Sequence, residues 1–205
     1  MKNIKLYITA LKKCKDKNMG DFMCKVLERM NGLSPEDILK MCGQYDNVPV
    51  DLDEVIRSLQ VIKKAAPLED VAKATKRSHI AGLVVLNGDN VGIFYNVNDS
   101  IKQKRFTIAH EIGHCCLHGD ILKNGYIEFL HKDGFENEHE IEASVFASKL
   151  LIPAETLREI YNRLILPSLS GLADIFGVPI HIMEHRLKEL KMKYYIDEKD
   201  KFVEP

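Results

Sequence analysis

Apolar residues recur at two different periods along this chain, and the changes of period mark its organisation. Residues 1 to about 45 read as helical. Within them, Ser34-Pro35-Glu36-Asp37 looks like a helix start: a serine cap, a proline in the first turn, then acids at the positive helix end. Asn47 to Pro49 is a break. "VDLDEVIRSLQ" then sets Leu52, Val55, Ile56 and Leu59 on one helical stripe. At Ile80 the period shortens. "IAGLVVL" and "VGIFYNV" are β-rich runs, and Asn87-Gly88-Asp89-Asn90 between them predicts a hairpin. Helical spacing returns from Lys102 and ends near His118-Gly119-Asp120, and residues 120–137 read as an irregular excursion. "NEHEIEASVFASKLLIPAETL" predicts a second long helix that stops near Pro153, because proline excludes its predecessor from helical geometry. Helices continue to about Lys193. The order is helices, a small antiparallel sheet or hairpin, then helices, which predicts a mostly helical α+β fold. The expected divisions are a helical N-terminal extension over 1–45, a core over 46–166, and a helix-turn-helix-like helical subdomain with a tail over 167–205.

A chain of 205 residues suffices for one core, or one core plus a small module. Apolar residues at 45% and charged residues at 29% are an ordinary globular balance. The net charge of −1 provides no global field toward nucleic acid or an anionic membrane. Apolar runs such as Ile80 to Leu86 are too short to cross a bilayer, so no membrane partner is expected. The start, "MKNIKLYITALKKCKDK", shows no small-residue cleavage site, and its "LKKCKDK" cluster reads as a solvated face. Five cysteines without a C-x-x-C pair predict reduced thiols and a cytoplasmic location.

The chemistry concentrates in "RFTIAHEIGHCC", from Arg105 to Cys116, which sets His110, Glu111 and His114 in the frame H-E-x-x-H. One helical turn separates the two histidines, so they lie on one face about 6 Å apart along the axis. Two imidazoles at that spacing can converge on one Zn²⁺. Glu111 sits about 100° round the helix, able to flank the ion and act as general base toward an attacking water. Phe106, Ile108, Ala109, Ile112 and Leu117 wrap the same helix in apolar surface. Three polar residues in such a setting need partners, and a metal supplies them. Gly113 costs about 1 kcal/mol against alanine in a helix interior, which makes sense if another backbone passes close by.

Catalytic zinc usually takes three protein ligands. His118 lies about 12 Å from His110 on a continuous helix, too far to share one ion. Cys115 and Cys116 project to other faces, and all three read as packing or surface residues. The second long helix is the better source. Glu142, Phe146 and Leu150 are spaced by four and share a face, so Glu142 is expected to point inward as the third ligand. Glu140 lies about 200° away and is expected to be solvated. Glu138, one turn before Glu142, is the reserve. The bland alternative for Glu142 is a salt bridge to Lys149 or an arginine.

"RFTIAHEIGHCCLH", followed after a spacer by "EIEASVFASKLLIP", resembles the phage- and mobile-element-associated metallopeptidases of the ImmA/IrrE group. Those show F-T-x-A-H-E-x-G-H and then E-A-N-x-F-A-x-x-L-L-x-P. Ser144 stands where asparagine is usual and Ile152 where methionine is common, and neither change touches an expected ligand. The resemblance covers roughly residues 47–190. It implies a zincin-like core, one Zn²⁺ held by His110, His114 and Glu142, and Glu111 as general base. Mn²⁺ or Fe²⁺ suits the same donors. It also implies a protein substrate, a helix-turn-helix repressor whose cleavage or inactivation derepresses mobile-element or stress genes. Tyr126 and His131, in the excursion, are the candidate oxyanion donors, with loop packing as their alternative.

"LADIFGVPIHIMEHRLKEL" has helix-turn-helix spacing, with Gly177 in the turn and Arg186, Lys188, Lys191 and Lys193 toward the end. His181, Met183 and His185 suit base reading poorly, so a packing module is expected rather than DNA binding. Two further functions remain open at this level: a non-proteolytic, metal-binding antirepressor, and a DNA-binding regulator using residues 168–193.

Overall fold

The computed structural model describes residues 24–75, 78–123, 138–196 and 201–203. Helices α1 (Lys25–Met30) and α2 (Pro35–Met41) come first. Ser34 caps α2 as its sequence predicts. Its hydroxyl accepts from the Asp37 N–H at 3.1 Å, and the Asp37 carboxylate accepts from the Ser34 N–H at 3.0 Å. Helix α3 (Leu52–Leu59) buries Leu52, Val55, Ile56 and Leu59, the four residues of the expected stripe. Leu27, Met30, Ile38 and Leu39 join the same hydrophobic core as these residues. The described part of the expected extension therefore contributes to the main core, with Met30 as a core filler.

The sheet comprises β1 (Ile62–Ala66), β2 (Gly82–Asn87) and β3 (Asn90–Asn96), in the order β1-β3-β2. Strands β2 and β3 form the expected hairpin, antiparallel, with Asn87 opposite Asn90 and Gly88-Asp89 between them. Strand β1 runs parallel to β3, from Ile62 beside Gly92 to Ala66 beside Asn96. The sheet is therefore mixed rather than antiparallel. "IKKAA" hides this strand: it lies at the sheet edge with most of its side chains turned to solvent, and shows no apolar alternation. Helix α4 (Glu69–Thr75) covers one sheet face, where Leu68, Val71 and Ala72 meet Ile80, Leu83 and Phe94. The opposite face presents Val84, Val91 and Ile93 to the main core.

Helix α5 (Ile101–Leu117) lies in that main core, capped by the Ser100 hydroxyl on the Gln103 N–H at 3.2 Å. Every residue from Phe106 to Cys116 is buried. The Arg105 guanidinium anchors its first half, donating to Val50 O at 2.8 Å and to Gly177 O at 3.1 Å. Helix α6 (Gly119–Lys123) follows. Helix α7 (Glu138–Leu151) packs along α5 and ends just before Pro153, as expected. At Gly113 the two backbones nearly touch. A Cβ there would lie 3.0 Å from the Ala143 carbonyl oxygen and 3.2 Å from the Ala143 Cα and the Phe146 Cβ.

The chain then forms α8 (Ala154–Arg163), α9 (Leu169–Phe176), α10 (Ile180–Glu189), β4 (Tyr194–Ile196) and β5 (Lys201–Val203). Helices α9 and α10 meet across Gly177, as the helix-turn-helix spacing predicts. Ile182, Met183, Arg186 and Leu187 face inward, and Arg186 donates to Ile152 O at 3.1 Å and pairs with Glu189 at 2.7 Å. Part of the face that would read bases is thus packed against the core. Among the described residues, no helix is long and apolar enough to cross a membrane.

Gly113→Ala is expected to lower stability by about 1–2 kcal/mol, since overpacking against the α7 backbone outweighs the gain in helix propensity. Chemical denaturation of the variant beside the parent protein measures it.

Candidate metal centre

From Phe106 to Cys116 every residue of α5 is buried, so the polar residues in that stretch are shielded from bulk water. His110, Glu111 and His114 are all fully buried. The helical repeat stacks the two imidazoles, and their Nε2 atoms stand 2.8 Å apart. The third group comes from the first turn of α7. Glu140 Oε2 lies 3.2 Å from His110 Nε2, and Glu140 Oε1 lies 3.4 Å from His114 Nε2. A tetrahedral site with bonds of about 2.0–2.1 Å has edges of about 3.3–3.4 Å. The two carboxylate distances are close to that length, each histidine facing a different Glu140 oxygen, and the imidazole nitrogens at 2.8 Å stand about 0.5 Å nearer than such an edge. Two imidazole nitrogens and one carboxylate, all buried and mutually in range, fit a divalent cation.

Burial alone would push the Glu140 carboxyl up. Hydrogen bonds and charge from His110 and His114 outweigh it and hold Glu140 at about 2. The group is therefore an anion facing the imidazoles. Ser144, one turn further along α7, places its hydroxyl 3.1 Å from His110 Nδ1. Glu111 lies on the sheet side of α5. A Cβ at Gly82 would fall 2.8 Å from Glu111 Oε1 and 2.4 Å from Thr107 Cγ2, so glycine lets edge strand β2 run against the Glu111 carboxylate.

The structure brings together His110 and His114 with Glu140 rather than the expected Glu142, and sets the Glu111 carboxylate against β2. The Glu142 side chain is 49% exposed and sits 3.6 Å from His118 Nε2, whereas Glu140 is 5% exposed. The expected roles of these two carboxylates are reversed. The buried positions of α7 are Glu140, Ala143, Ser144, Phe146, Ala147, Ser148, Leu150 and Leu151, so Phe146 and Leu150 face inward as expected but the carboxylate that shares the buried side is Glu140. The small residues of that side are the available signal: where Gly113 demands a close partner, Ala143 and Ala147 supply it, and counting back one turn reaches Glu140. Glu138, the reserve, is exposed. Lys149 pairs with Glu189 at 3.7 Å instead of Glu142.

His118 is buried and directs Nε2 to the His139 carbonyl at 3.2 Å, joining the end of α5 to the start of α7. Burial pushes the Cys115 thiol well up and the Cys116 thiol to about 12, and both sit in the main core, outside the group formed by His110, His114 and Glu140. Both are packing residues. Tyr126 and His131 lie outside the described residues.

Residues 57–188 match the model of a peptidase family described as the IrrE N-terminal-like domain. The chain is also similar to Metallopeptidase ImmA of Bacillus subtilis (strain 168), 28% identical over 100 residues, which are 46% of this chain and 55% of that protein. The chain thus spans about half the length of the curated relative it matches.

Glu140→Ala is expected to remove most bound metal, while Glu142→Ala leaves it unchanged. Elemental analysis after gel filtration checks both, and a loss with Glu142→Ala alone would restore the residue that the helical stripe first suggested.

Proposed function

The chain belongs to the peptidase family described by the IrrE N-terminal-like domain, and from that premise we propose that it is a metal-dependent endopeptidase, with Zn²⁺ held by His110, His114 and Glu140. What supports this most directly is the meeting of those three buried side chains from two helices, with the Glu111 carboxylate on the same helix as both histidines. A divalent ion bound there supplies Lewis-acid activation of a water and of the scissile carbonyl.

The chain's own residues do the rest. His110 and His114 present neutral nitrogens, and Glu140 brings one negative charge, leaving the bound ion net positive and electrophilic. Glu111 accepts the proton of the attacking water on its carboxylate and delivers it to the leaving amine. Its burial against β2 excludes bulk water and raises the strength of each local interaction. The same two imidazoles and carboxylate would also suit Mn²⁺ or Fe²⁺.

The substrate follows from the resemblance to the ImmA/IrrE group: a helix-turn-helix repressor in the cytoplasm, whose cleavage derepresses mobile-element or stress genes. Proteolysis requires Glu111 as a base, whereas relief of repression by binding alone does not. Glu111→Gln is expected to keep metal content and thermal stability and to lower the cleavage rate by about 10²–10⁴-fold. Incubation with a repressor encoded beside this gene, read by gel and by a reporter, measures both effects. Full derepression by Glu111→Gln would make the protein a non-proteolytic antirepressor.

A further inference from the structure

We propose that Ser144 is a positioning residue: its hydroxyl locks the His110 imidazole with Nε2 turned toward the metal position and so sets how tightly the ion is held. This rests on the metal assignment above.

His110 meets α7 at both ring nitrogens. Nε2 faces Glu140 Oε2 at 3.2 Å, and Nδ1 faces the Ser144 hydroxyl at 3.1 Å. Glu140 and Ser144 are one turn apart on α7, as His110 and His114 are on α5, so two pairs spaced by four face each other across the helix contact. A ring tied at Nδ1 to the Ser144 hydroxyl cannot turn about its Cβ–Cγ bond without breaking that contact. When Nδ1–H donates to the serine oxygen, the proton is absent from Nε2, and the lone pair there is available to a cation. Ser144 is 7% exposed and His110 fully buried, so bulk water does not substitute for the hydroxyl.

A serine inside a helix commonly bonds the carbonyl one turn back and does nothing more. The same helix contains an internal comparison. Ser148, one turn on and 8% exposed, has a buried hydroxyl with no hydrogen-bond partner among the described residues. It is a buried serine of α7 without a contact to a ligand residue. The contact to His110 is therefore specific to Ser144 and is not a general property of the buried side of α7.

The test is competition for Zn²⁺ against a chromophoric chelator, on the full chain, with Ser144→Ala, Ser144→Thr and Ser148→Ala beside the parent. Alanine is the better helix former, so Ser144→Ala retains the fold. Loss of an outer hydrogen-bond partner typically weakens metal affinity roughly 10–100-fold, and that is the loss expected for Ser144→Ala. Ser144→Thr keeps the hydroxyl and is expected to recover the parent affinity, while Ser148→Ala leaves it unchanged. In the Co²⁺-loaded protein, the visible absorption bands are expected to shift in Ser144→Ala alone. Affinity in Ser144→Ala within about twofold of the parent overturns the proposal, since an outer partner of this kind is worth more. So does an equal loss in Ser148→Ala or in Ser144→Thr, which would make the effect one of helix packing. If the parent itself takes up no Zn²⁺, the metal assignment falls and this role with it.

Discussion

Helices α5 and α7 meet at Gly113 and Ala143 so closely that one added carbon would stand 3.0 Å from a carbonyl oxygen. That approach governs the rest of the centre. It brings the first turn of α7 within hydrogen-bond range of the imidazoles on α5, and it places Ser144 against the far nitrogen of His110. A glutamate side chain is short, and helices packed at ordinary interaxial distances of about 8–10 Å leave room for whole apolar side chains between them. Here Gly113 lets Ala143 and the Phe146 Cβ come close, and Glu140 and Ser144 reach the imidazoles across the contact.

Burying two imidazoles and two carboxylates in one small volume is costly unless each finds a partner. The centre meets that cost by mutual pairing: Glu140 is held as an anion by the two histidines, despite a burial that alone would favour its neutral form. Buried polar residues in the middle of α5, between Phe106 and Cys116, break the pattern that the remaining helices obey. Such local violations concentrate at functional sites, where chemistry rather than stability selects the residue.

The surrounding elements serve this geometry at a distance. Arg105 ties the front of α5 to backbone carbonyls at Val50 and Gly177, so segments remote in sequence fix where that helix starts. His118 joins its end to the backbone at His139, next to Glu140. The sheet supplies a second wall, where Gly82 lets β2 lie against Glu111. Helices α9 and α10 turn Leu172, Phe176, Met183 and Leu187 into the main core, and so act as packing around the centre.

Local geometry made much of this legible in advance. A helical repeat alone places His110 and His114 on one face and Glu111 beside them, and a serine followed by proline and acids alone starts α2. The hairpin, the stripe of α3 and the stop at Pro153 follow from the same short-range rules. The family was likewise readable, because its motif is made of neighbouring residues. Tertiary structure decided what depends on distant neighbours. Periodicity groups Glu142 with Phe146 and Leu150, and Glu140 with Ala143 and Ala147, but cannot say which group meets α5. The answer lay in Gly113, on another helix, whose missing side chain lets Ala143 approach and so turns the group that contains Glu140 toward α5. Strand β1 escaped notice for a related reason: its pairing with β3 is made by backbone groups that every residue but proline carries, so "IKKAA" bears no mark of it.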